Sequence, residues 1–143
     1  MYLYVKMISI KIAALDHVVF NVADAKRSLA FYRDVLGLEA LREAEFRAGA
    51  VPFPSVRVND TTILDFFPPQ YHGVEPGGNN VNHVALSVSE TPEKIEAFLH
   101  ERGIPVVRRM TENFAARGIA HAAFHIADPD GNMLELHTYE RGN

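Results

Sequence analysis

Apolar and polar residues alternate in short runs along most of this chain, the period of strands with one buried face. Leu15 to Val22 sets Val18, Phe20 and Val22 on one side and His17, Val19 and Asn21 on the other. Phe53 to Asn59 sets Val56 and Val58 against Ser55, Arg57 and Asn59. Thr61 to Phe67 sets Leu64 and Phe66 against Ile63, Asp65 and Phe67, after an Asn59-Asp60 turn. Between the first two runs the period changes to that of a helix. Asp24 is its N-cap, Leu29, Tyr32 and Leu36 share a face, and Gly37 offers a left-handed stop. Residues 38–48 predict a further strand, made polar by Glu39, Arg42, Glu43, Glu45 and Arg47.

A stretch rich in Pro, Gly and Asn, Pro68 to Asn80, reads as a linker, and beyond it the plan repeats. Val81 to Val88 matches the first strand at an offset of 66, which sets His83 on His17. Thr91 caps a helix with Pro92 at its first position, where a missing N–H costs nothing. Ile95, Phe98 and Leu99 form its stripe, and it stops at Gly103, again 66 residues after Gly37. Val106 to Met110 predicts a strand, Thr111 to Gly118 a loop and Ile119 to Ala127 a strand. Asp128-Pro129-Asp130-Gly131-Asn132 is a dense turn signal, and the strand 133–138 follows it. There Leu134 and Leu136 oppose Met133, Glu135 and His137, matching the strand that carries Asp65 at an offset of 70.

Each half is thus a strand–helix–strand–strand–strand unit. Two such units bury one face of a sheet under their helices and curve the other around a cleft. The expected fold is α+β, two βαβββ modules forming a curved mixed sheet. Module 1 is 15–67, the linker 68–80 and module 2 81–139, within one domain 15–143 preceded by an extension 1–14.

Composition narrows the function. The 143 residues suffice for one domain with a real core, and 48% hydrophobic with 22% charged is a globular balance. The net charge of −4, without a basic run, argues against nucleic acid as a partner. With no cysteine there is no disulfide, thiolate ligand or thiol nucleophile. No apolar run is long enough to span a membrane and no leader is legible, so the expected location is the cytoplasm.

The faces turned from the helices collect His17, Arg57, Asp65, His83, Glu135 and His137, joined by His121 and His125 where the strand 119–127 keeps its alternation. A second apolar core would not be lined this way, because burying so many ionisable groups unpaired is costly. His17, Asp65, His83 and Glu135 sit at matching positions of the repeat. Two imidazoles and two carboxylates suit a divalent Zn, Ni, Co, Mn or Fe ion. Arg57, beside Ser55 and Asn59, is a candidate for a polar substrate group, and Phe67, His121 and His125 are further substrate-binding candidates.

Leu-Asp-His-Val-Val-Phe, Phe-Tyr-Arg-Asp-Val-Leu-Gly-Leu, Asn-His-Val-Ala-Leu and Asp-Pro-Asp-Gly-Asn-Met-Leu-Glu-Leu resemble the vicinal oxygen chelate superfamily of glyoxalases, bleomycin-resistance proteins and dioxygenases. The resemblance covers residues 15 to 139. It implies metal ligands on the first and last strands of the modules, here His17, Asp65, His83 and Glu135. Glyoxalase I usually carries Glu or Gln where Asp65 stands, and a side chain one methylene shorter reaches the ion directly or through water. In the three-ligand members, Asp65 would serve as base or stand behind the ligands. The implied activity is a lyase, isomerase or dioxygenase in which a divalent ion chelates adjacent oxygens of a small substrate and stabilises an enediolate or similar oxyanion. Glu135, Asp65 or His137 would move the proton. The alternative is a non-catalytic small-molecule binding protein of the bleomycin-resistance type. A homodimer is expected, either with each site shared between chains or with all four ligands from one chain; the fall of the ligand pairs on opposite sides of the linker favours sharing.

Overall fold

The structure, a computed structural model, describes residues 7–35, 37–73, 80–127 and 133–143. Leu36, residues 74–79 of the linker and the 128–132 turn therefore lie outside the described residues. The first half comprises β1 (Ile12–Asn21), α1 (Ala25–Ala30) running on into a π-helical turn over Phe31–Val35, β2 (Glu39–Leu41), α2 (Glu43–Arg47), β3 (Ser55–Arg57) and β4 (Ile63–Phe67). A short helix, α3 (Pro69–His72), opens the linker. The second half comprises β5 (Val81–Val88), α4 (Pro92–Glu101), β6 (Arg108–Met110), β7 (Asn113–Ala115), β8 (Gly118–Ala120), β9 (Ala122–Ala127) and β10 (Met133–Thr138).

Eight strands form one curved mixed sheet in the order β2-β3-β4-β1-β5-β10-β9-β6. The order reads the same from both ends once each strand is replaced by its repeat partner, so this is the expected pair of βαβββ modules joined edge to edge. The junction is the antiparallel pair β1–β5, where Val18 faces Val84, its own counterpart 66 residues on. A local two-fold axis passes between these two valines.

Each module has its own core on the helix side. Ala25 and Leu29 of α1 pack with Val56 and Phe66, while Ile95 and Leu99 of α4 pack with Val88, Phe124 and Leu136. Each such large side chain, fully buried, contributes roughly 1.5–3 kcal/mol. The predicted caps are in place. Asp24 Oδ1 accepts from the Lys26 and Arg27 amides at 3.0 and 3.2 Å, and Thr91 Oγ1 from Lys94 at 3.3 Å. Gly37 and Gly103 end their segments at φ 75° and 65°, where a Cβ would be strained.

Three expectations need correction. The strand expected over 38–48 stops at Leu41, and Arg42, at φ 60°, turns the chain into α2, which buries part of Phe46 against the first core. The segment expected as a loop, 111–118, is mostly a hairpin of β7 and β8. The strand expected over 119–127 is broken at His121, so only 122–127 joins the main sheet. At the start, β1 begins at Ile12, and the Ile8 amide donates to the Glu101 carboxylate at 3.2 Å, so part of the extension lies against α4. No helix among the described residues is long and apolar enough to cross a membrane.

Candidate metal centre

Two β-bulges place the histidines. Between Leu15–Leu86 and His17–Ala85 the β1 strand carries one extra residue, Asp16; between Val19–His83 and Phe20–Val81 the β5 strand carries Asn82. The bulges are related by the same 66-residue offset. Each brings the side chain before a histidine round to that histidine's Nδ1. Asp16 Oδ2 lies 2.6 Å from His17 Nδ1, and Asn82 Oδ1 lies 2.7 Å from His83 Nδ1. Asn82 Nδ2 donates to Asn21 Oδ1 at 2.9 Å, which leaves its oxygen as the acceptor. Both rings therefore donate through Nδ1 and aim Nε2 into the cleft.

The two Nε2 atoms lie 3.4 Å apart. Glu135 approaches both, with Oε2 at 3.5 Å from His17 Nε2 and Oε1 at 3.6 Å from His83 Nε2. Bonds of about 2.1 Å to a tetrahedral or octahedral ion separate neighbouring donors by roughly 3.0–3.4 Å. Three donors at these spacings fit a divalent ion. Asp65 stands beside them, its Oδ2 at 4.0 Å from His17 Nε2, but it does not close on the same point as the other three. Ser55, opposite it on β3, donates to Oδ1. The matching pair on the other side is His125, which donates through Nε2 to Glu135 Oε1 at 2.9 Å.

Behind Glu135 lies His137, fully buried. Its Nδ1 is 3.0 Å from Glu135 Oε2 and its Nε2 3.1 Å from Asp16 Oδ1. Burial alone would push the His137 ring down, but the two carboxylates outweigh it and hold it up at about 9. Burial would likewise raise Glu135, yet the His125 and His137 hydrogen bonds and the nearby rings keep it well below the usual carboxylate range. Asp16 is held low against its burial by His137, His17 and Tyr139. Burial drives His83 down to about 4, so it is neutral and its Nε2 lone pair is available at neutral pH. His17 is raised despite its burial, by Asp16, Asp65 and Glu135. Burial pushes the Asp65 carboxyl up. A second set of donors, Asp16, His17 and His137, also lies close together. Its atoms are already hydrogen-bonded to one another and to Ser87, Ala116 and Tyr139, and it needs no ion.

A cavity of about 660 Å³ opens from these donors. His17, Asp65, His83, Glu135, His125 and Phe67 line it, as expected of candidates on the sheet's open face. Arg57, His121 and His137 do not. β3 ends at Arg57, whose guanidinium turns away to the carbonyls of Asn59 at 3.0 Å and Ala116 at 2.5 Å. His121 sits at the break between β8 and β9. His137 is one row too deep, saturated by Glu135 and Asp16. Within one chain, the continuous sheet brings all four ligand-position residues together.

Several lining or supporting residues escaped the sequence reading: Asp16, Asn82, Phe53, Tyr71, Arg108 and Asn113. Asp16 and Asn82 did leave a signal, a polar residue directly before each repeat-related histidine. Asn113, on the β7–β8 hairpin, donates through Nδ2 to Glu135 Oε2 at 3.3 Å, while its buried Oδ1 has no partner among the described residues.

A sequence profile of the Glyoxalase/Bleomycin resistance protein/Dioxygenase superfamily matches residues 14–136. A lactoylglutathione lyase of Salmonella typhimurium is 33% identical over 125 residues, covering 85% of this chain and 90% of the relative. The glutathione transferase FosA of Serratia marcescens is 26% identical over 125 residues, covering 87% and 79%. Among solved structures, methylmalonyl-CoA epimerase of Mycobacterium tuberculosis superposes with a TM-score of 0.68 at 20% identity, covering 97% of this chain and 94% of that one, a likeness of fold.

Proposed function

The chain belongs to the Glyoxalase/Bleomycin resistance protein/Dioxygenase superfamily, and from that premise we propose that it is a divalent-metal-dependent enzyme acting on a small substrate with two adjacent oxygens. The observation that carries this reading is the convergence of His17, His83 and Glu135 at 3.4–3.6 Å. A purely binding protein has no use for two imidazoles oriented from behind and a buried, ionised carboxylate between them. A divalent ion held by these three would act as a Lewis acid toward the substrate oxygens and stabilise the oxyanion left when a carbon-bound proton departs.

The remaining groups divide the work of position and proton transfer. Ser55 occupies one oxygen of Asp65 and leaves Oδ2 toward the cavity, and burial raises that carboxyl toward the range of a working base. Asp65 thus takes and returns the proton, while His125 holds Glu135 on the opposite side. His137 keeps Glu135 ionised from behind. Proton transfer at carbon makes a lyase or isomerase of the glyoxalase kind the favoured class, with dioxygenase chemistry as the competing outcome. The protein acts in the cytoplasm as a homodimer whose sites each lie within one chain.

Elemental analysis of protein purified without chelator tests this first. About one equivalent of divalent metal per chain is expected, with Ni²⁺, Zn²⁺, Mn²⁺, Co²⁺ or Fe²⁺ raising the melting temperature. Turnover is then sought on α-ketoaldehyde–thiol adducts, acyl-CoA epimers and catechols. No bound metal and no thermal shift would hand the site to the binding-protein reading.

A further inference from the structure

One wall of the cavity beside the metal centre, built from the first module and the start of the linker, is a continuous aromatic surface, with Phe53 and Phe67 ring centroids 4.8 Å apart and Phe67 and Tyr71 at 4.6 Å; Phe114 of the β7–β8 hairpin adds a further ring to the lining. The surface reaches the centre itself, because the Phe67 ring lies 6.0 Å from that of His83. Asp65 emerges from the same module. Across the cavity, Arg108 is the one arginine among the described lining residues, which include no lysine.

This arrangement specifies a ligand. Aromatic side chains placed together on a cavity wall bury flat apolar groups well, and ring pairs gain stabilisation beyond the area they cover. A conjugate carrying two distant carboxylates would find a single guanidinium to receive them. Resting on the metal-enzyme reading above, we propose that the substrate carries a flat aromatic group next to its oxygen pair, and that this group packs on the Phe53–Phe67–Tyr71 wall.

Calorimetric titration tests the inference on protein whose metal content has first been measured. The probes are benzoylformate and pyruvate, which share an α-oxo acid and differ in a phenyl group, and S-lactoylglutathione. Benzoylformate should bind at least tenfold more tightly than pyruvate, and more tightly than S-lactoylglutathione. That ratio should fall several-fold in Phe67→Leu, which keeps an apolar side chain but removes the ring. It should also fall in Tyr71→Ala, whose half-exposed position makes misfolding a lesser concern. Metal uptake with equal affinity for benzoylformate and pyruvate, tighter binding of S-lactoylglutathione, or a preference untouched by both substitutions overturns the aromatic assignment alone. Absence of metal uptake overturns the reading on which it rests, and the assignment with it.

Discussion

His17 and His83 meet through their Nε2 atoms at 3.4 Å, although each is fixed from behind by a different kind of group. Asp16 presents a carboxylate to one ring and Asn82 an amide oxygen to the other. The geometry of the two holds is nearly the same, and their charge is not.

Asp16 should therefore matter more than Asn82. Asp16→Asn should weaken divalent-metal affinity about ten- to a hundredfold, as expected when a carboxylate partner of a ligating histidine is lost. Asn82→Ala should cost less. Competition with a chromophoric chelator gives both values, and equal losses would refute the ranking.

The ligands themselves should separate more sharply. Glu135→Ala should abolish metal binding, whereas Asp65→Ala should lower affinity less than tenfold while removing turnover. An equal loss of binding in both would place Asp65 on the ion.

Metal affinity should rise with pH across the acidic and neutral range. The raised His17 ring holds a proton that the ion must displace, so uptake releases it. A weakly buffered titration should show acidification on addition of metal. Proton uptake instead would contradict the assignment.

The metal-free protein should also lose stability on the alkaline side. The folded value for His137 is about 9, above its unfolded value near 6.5. Its contribution is complete below 6.5 and disappears as pH rises through 9, a loss of up to about 3 kcal/mol. His137→Gln should flatten that limb of the melting-temperature profile, and an unchanged limb would show that another group governs it.

Arg57 should behave as a latch on the hairpin. It donates to the Ala116 carbonyl, and Arg42 Nη2 donates to that of Ala115 at 3.0 Å. Arg57→Ala should speed amide hydrogen exchange over 115–118 and change metal affinity less than twofold. A large drop in affinity without faster exchange would return Arg57 to the site.

The sequence carried the repeat, and the repeat carried most of the centre. His17, His83, Asp65 and Glu135 were legible because offsets of 66 and 70 residues tie them pairwise to equivalent strands. What was not legible depended on contacts outside the local pattern. The bulges at Asp16 and Asn82 exist only in the pairing of β1 with β5, and no alternation along either strand reveals them. Arg57 had the right face for the cleft, but its short strand and the hairpin from the other module drew it away. His137 also had the right parity, and its depth followed from Asp16, which the alternation placed on the other side.

The same local two-fold at Val18 and Val84 bears on stereochemistry. A centre obeying it fully would set an equivalent base above and below a planar ligand, so that a proton could be taken from either face. Asp65 is shorter than Glu135 and is held by a serine where Glu135 is held by a histidine. These unequal counterparts make the two faces distinguishable, so a proton removed on the Asp65 side is removed from one prochiral face. The repeat supplies the frame, and a few unequal counterpart residues give it one working side.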